Sequence, residues 1–76
     1  MTEFAKYAVV IEQAGTTFSA YVPDLPGCIS VGDTIPETEA NIREAIALHI
    51  ETLLQHGNPV PIPTTRVEYI DTKRVG

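Results

Sequence analysis

The sequence predicts an α+β domain: an antiparallel sheet of three to four strands, in the order β-β-β-α-β, with one helix on one face. Three observations carry that reading. Short runs rich in branched and aromatic residues, separated by turn chemistry, fill the first 32 positions. One long stretch of helical periodicity follows, with a start signal and a stop signal. A last apolar run lies beyond a Pro-rich connector.

The first strand is expected over residues 6–12. Tyr7, Val9 and Ile11 fall on one face and Ala8 and Val10 on the other, so neither side is plainly a solvent side. Gln13, Ala14, Gly15 and Thr16 supply turn residues, and residues 17–22 return as a second strand. There Phe18, Ala20 and Val22 alternate with Ser19 and Tyr21, as a half-buried strand requires. The corner Pro23, Asp24, Leu25, Pro26, Gly27 and Cys28 comes next. Proline presets φ and glycine accepts a positive φ, so Pro26 and Gly27 suit the central positions of a type II turn. A third strand is expected over 28–32.

A helix is expected over 35–56. Thr34 and Glu37 have the spacing of a capping box, in which the hydroxyl takes an orphan N–H and the glutamate reaches back. Pro36 lies in the first turn, where a missing N–H does no harm, and Glu37 and Glu39 favour the positive end of the helix dipole. Gly57 and Pro59 mark the stop. At 100° per residue Ile42, Ala45, Ile46, Ile50, Leu53 and Leu54 gather on one side, opposite Glu44, Glu51 and Gln55. Leu48 falls outside that stripe. The segment 58–63, with Pro59, Pro61 and Pro63, cannot enter a central strand and is expected to run extended along its own domain. Residues 66–70 are the fourth strand, and a polar tail follows.

At 76 residues, the chain forms a single domain near the size at which one core suffices. One cysteine excludes an internal disulfide and fits a reducing compartment. Self-association, as a dimer or tetramer, is the remaining way to bury more apolar surface; a second copy or a partner is expected to cover the sheet face away from the helix or to pair with an edge strand. Ten acidic residues against five scattered basic ones give a net charge of −5. Such a surface does not suit nucleic acid, which selects concentrated cations, and it does suit a basic protein partner. No apolar run is long enough to span a bilayer, and Met1, Thr2, Glu3 and Phe4 lack the pattern of a secretory leader. Cytoplasmic location is the expectation.

Catalytic chemistry finds little support. His49 and His56 share a helix face, but seven residues at about 1.5 Å each separate them by roughly 10 Å, too far to hold one ion together. Glu12, Asp24, Asp33 and Asp71 suggest a two-metal nuclease only if the fold gathers them. Asp24 and Asp33 already have local reasons to stand in a turn and before a helix. Cys28 reads as a small buried hydrophobe. No catalytic residue, no metal ligand and no cofactor is therefore assigned.

The hairpin, the run from Val22 through Pro23, Asp24, Leu25, Pro26 and Gly27 to Cys28, the triplet Gly32, Asp33 and Thr34, the helix and the Pro-rich exit together resemble the HicB-like antitoxin family. The resemblance covers residues 7–70. It implies a partial ribonuclease-H-like fold without the nuclease's catalytic carboxylates. It further implies binding and blocking of a small basic HicA-type toxin that cleaves mRNA. Under that resemblance the six residues 23–28 are a signature loop of mainly structural role. Many relatives carry a C-terminal DNA-binding domain; a chain of 76 residues has no room for one, so direct operator binding is not expected. The residues that touch a partner are unknown from sequence. A toxin-less oligomeric structural or adaptor module is the alternative, and a vestigial metal-dependent nuclease the third reading.

Overall fold

Turn chemistry sets the strand lengths. In the computed structural model, which describes residues 5–74, β1 (Val10–Ala14), β2 (Thr17–Tyr21) and β3 (Ile29–Gly32) form one antiparallel sheet in the order β1-β2-β3, and α1 (Ile35–Gln55) follows. Met1 to Phe4, where the sequence lacks a leader pattern, lie outside the described residues, as do Val75 and Gly76. The first hairpin closes more tightly than expected. Ala14 pairs with Thr17, so only Gly15 and Thr16 remain in the turn, with Gly15 at φ +66 as a two-residue hairpin loop requires.

Strand β1 begins four residues later than the expected 6–12. Among the described residues its one partner is β2, which ends at Tyr21 opposite Val10 because Pro23 turns the chain away. Residues 6–9 therefore continue without a ladder, although Tyr7 and Val9 still pack on the core. The register puts Ile11, Ala20 and Ser30 in one row and Phe18 and Gly32 in the next, all on the helix side. Val10, Tyr21 and Ile29 form a row on the far face, beside the row of Glu12, Ser19 and Val31.

Helix α1 starts and stops by recognisable hydrogen bonds. Glu37 N–H donates to Thr34 Oγ1 at 3.2 Å, and Glu37 Oε2 accepts from the Asp33 N–H at 3.2 Å. At the other end Gly57, at φ +68, donates to the Leu54 carbonyl and Asn58 to the Leu53 carbonyl, the paired bonds of a Schellman motif. The core is small: Ala20, Val22, Leu25, Cys28 and Ile42 are buried, with Ala45, Ile46 and Ile50 packed against them. Leu54, expected in the apolar stripe, is exposed, as is Leu48.

The helix lies over β3 and β2. Thr38 is fully buried where the two layers come closest, and its hydroxyl is satisfied by the Thr34 carbonyl at 2.7 Å. Gly32 permits the approach: a Cβ there would stand 2.5 Å from Thr38 Oγ1 and 2.8 Å from the Thr38 backbone nitrogen.

The fourth strand expected over 66–70 does not form. Among the described residues no strand pairs with them, and Val67, Tyr69 and Ile70 are exposed. An extended segment without a ladder partner leaves its backbone groups to water, and no strand is established. The fold is thus three strands and a helix, with an extended C-terminal segment.

Candidate functional site

The corner between β2 and β3 is built as two consecutive turns. Leu25 N–H donates to the Val22 carbonyl and Cys28 N–H to the Leu25 carbonyl, each at 3.0 Å, and Val22 N–H closes the loop on the Cys28 carbonyl. Pro26 and Gly27 occupy the centre of the second turn, with Gly27 at φ +84, which is the type II geometry expected from the sequence. Prolines at the second position of each turn hold the loop shape, and that shape drives Leu25 wholly into the core. Pro23, Pro26 and Gly27 stay on the surface, while Cys28 is buried.

Asp24 has a role that no local spacing could show. Its Oδ2 accepts the backbone N–H groups of Thr64 and Thr65 at 3.0 and 2.9 Å, and its Oδ1 accepts their hydroxyls at 3.2 and 2.8 Å. The carboxylate thereby holds the end of the Pro-rich connector. Hydrogen bonds from Thr65, backbone first and then hydroxyl, hold the Asp24 pKa below the ordinary carboxylate value; desolvation opposes them, and the weaker Thr64 bonds add to the lowering. A second tie lies close by: Tyr7 Oη donates to the Pro61 carbonyl at 2.6 Å. The connector therefore runs along its own domain, with Val60, Pro61 and Pro63 half-buried and Ile62 facing out.

The other candidates for chemistry remain apart. Glu12 lies on β1, Asp33 ahead of α1, Asp71 in the C-terminal segment, and Asp24 is occupied by the two threonines. Among the described residues no three His, Cys, Asp or Glu side chains gather as a metal site. His56 places Nδ1 at 2.9 Å from the Thr52 carbonyl at the helix end. His49 is half-buried and, with Cys28 and Leu48, lines a shallow pocket of about 280 Å³. Burial pushes the Cys28 thiol up, which disfavours the thiolate a nucleophile needs.

What the chain presents are surfaces. The far face of the sheet exposes Tyr21, Ile29 and Val31, with Glu12 on the same face at the β1 edge. On the helix side, a larger groove of about 910 Å³ opens between β1 and the first half of α1, floored by Val9, Ile11, Ile42 and Ile46. No helix among the described residues is long and apolar enough to cross a membrane.

A three-stranded sheet with one helix, cornered by a double-turn loop that seats Leu25 in the core, and with exposed apolar side chains on the far face of the sheet, defines a small α+β domain. The chain belongs to the family described as HicB-like antitoxin of bacterial toxin-antitoxin systems, which it matches over residues 7–74. It is similar to a chain of a HicA3 and HicB3 toxin-antitoxin complex, with TM-score 0.69 and 37% identity, covering 79% of this chain and 70% of that one. It is also similar to the N-terminal domain of the antitoxin HicB of Burkholderia pseudomallei, with TM-score 0.59 and 33% identity, over 86% of this chain and 69% of that one. An uncharacterised 14.9 kDa protein from the rep-hol intergenic region of Haemophilus phage HP1 is 38% identical over 65 residues, which are 86% of this chain. The aligned region makes up 49%, about half, of that phage protein.

Proposed function

We propose that this chain is a cytoplasmic, non-enzymatic antitoxin domain that binds a small basic HicA-type toxin and silences its cleavage of mRNA by covering it. The observation that carries the reading is the likeness, at 37% identity and TM-score 0.69, to a chain from a HicA3 and HicB3 complex. The charge of −5 supports a cationic partner by steering encounter and disfavouring wrong ones. We assign the partner to the far face of the sheet, where Tyr21, Ile29 and Val31 are exposed and the acidic Glu12 stands at the β1 edge of the same face. Apolar anchors with complementary charge beside them are what a stable interface uses. The loop of Pro23, Asp24, Leu25, Pro26, Gly27 and Cys28 serves as scaffold in this reading. The chain also self-associates, because the groove beside β1 leaves one flank of the core open.

The test is co-purification with the product of the small basic reading frame next to this one, followed by an RNA-cleavage assay. Stable co-elution with loss of cleavage is the expected result. A folded, active neighbour that does not bind would overturn the antitoxin reading in favour of a toxin-less oligomeric module. That alternative is favoured by one specific feature, the open groove beside β1.

A further inference from the structure

We propose that residues 66–70 of one copy add as a strand alongside β1 of a second copy, with Val67 and Tyr69 filling the groove between β1 and α1. The inference deepens the self-association reading and is independent of the toxin. Three observations on the same chain meet in it.

The first is a strand without a partner. Arg66 and Glu68 form an ion pair at 3.2 Å, so side chains two residues apart already share a face. Val67 and Tyr69 then share the other face, and Tyr69 is 96% exposed. Continued extension puts Asp71 in the row of Val67 and Tyr69. An apolar row on an extended, unpaired backbone is a template for pairing across chains.

The second is a sheet edge without a partner. Of the two outer strands, β3 has its Val31 carbonyl taken by the helix, where Asn41 Nδ2 donates at 2.8 Å. Among the described residues no strand pairs with the outer edge of β1, and beside it lies the groove floored by Val9, Ile11, Ile42 and Ile46. A strand laid along β1 would turn alternate side chains into that groove. Two of the chain's five basic residues, Lys6 and Arg43, line it, against Glu39 as its one acidic lining residue. Such a rim opposes a cationic toxin; in the extended segment Asp71 and Lys73 share a row and offset each other, so the exposed apolar pair Val67 and Tyr69 is what favours the second copy as occupant.

The third observation is the direction of the segment. Asp24 grips Thr64 and Thr65, and beyond that grip the chain leads away from its own domain. The long axis is 51 Å against 26 and 22 Å, and the radius of gyration is 14.7 Å, where about 11 Å is usual for this length. Two copies related by a twofold axis can exchange these segments reciprocally, which closes both grooves and leaves no open edge at β1.

The experiment uses the full chain alone. Light scattering at micromolar concentration should give a dimer or a multiple of it. In a mixed sample of isotope-labelled and unlabelled copies, isotope-filtered NMR should show contacts from the Tyr69 ring to the Ile42 and Ile46 methyls across copies. Tyr69→Asp, at a position exposed in the single chain, should fold normally and weaken the dimer by about tenfold or more. Leu48→Asp, at an exposed helix position outside that groove, should leave the dimer unchanged. A dimer insensitive to Tyr69→Asp and without those cross-copy contacts would overturn the exchange while leaving self-association standing. Contacts confined to one copy would overturn it by showing that the segment closes its own groove. A monomer would overturn both the exchange and self-association, and would leave the toxin reading untouched.

Discussion

At Gly27 the backbone holds φ +84, and the space where a Cβ would stand is empty; at Gly32 no unusual φ is needed, but a Cβ would meet the Thr38 backbone. The two glycines therefore resist substitution for different physical reasons. Gly27→Val should cost about 1 to 2 kcal/mol, the penalty of forcing a branched residue into the left-handed region. Gly32→Ala should cost about 1 to 3 kcal/mol by overpacking, since behind the Thr38 hydroxyl, the nearest obstruction, stand the Thr38 backbone atoms, which cannot rotate away. Thermal denaturation checks both, at about 4 to 8 °C per kcal/mol for a domain of this size. A Gly27→Val variant that melts like the parent would remove the type II turn from the account. The discriminating comparison adds Thr38→Ala to Gly32→Ala: loss of the Thr38 hydroxyl removes the contact at 2.5 Å but leaves the backbone nitrogen at 2.8 Å, so the rescue should be partial at most.

Among the elements, the helix was the most legible, and the reason is local. Thr34, Glu37 and Gly57 act within a few residues of themselves, and the observed helix ends one residue short of the expected 56. Thr34→Ala should cost about 1 kcal/mol in thermal or urea unfolding by orphaning the Glu37 N–H, and Thr34→Asp should restore most of it. The strands were legible as apolar runs but not in their limits. Tyr7 and Val9 have strand composition yet lie outside β1, because Pro23 ends the partner they would need. Residues 66–70 failed as a strand on the same principle: propensity marks what can pair, and pairing depends on a neighbour that the sequence does not display. Thr38, buried between layers, gave only a weak signal, one helical turn ahead of Ile42 and opposite a glycine. The grip of Asp24 on Thr64 and Thr65 spans 40 residues and had no signal at all.

At the scale of the whole molecule, that grip decides where the domain stops and the projecting segment begins. The Asp24 carboxyl titrates below the ordinary aspartate value of about 3.9, so folding favours its ionised form. Its contribution is therefore complete above that value and is lost as the pH falls through the lower folded-state pKa. Asp24→Asn at neutral pH should speed amide exchange at Thr64 and Thr65 while leaving Ala20 and Ile42 protected; in the parent, the same release should occur only in acid. Unchanged exchange in the variant would mean that the connector is held by Tyr7 and packing instead. The same view explains why the loop at 22–28 is a poor place to modify. Most surface loops accept inserted peptides, fluorescent tags or labels, because their side chains contribute little to the interior. This one delivers Leu25, with no exposed surface, to the centre of the core. A tag placed there would withdraw a core residue as surely as a deletion, whereas the Gly15 and Thr16 turn, at the opposite end of the β1–β2 hairpin, offers an attachment point that costs the interior nothing.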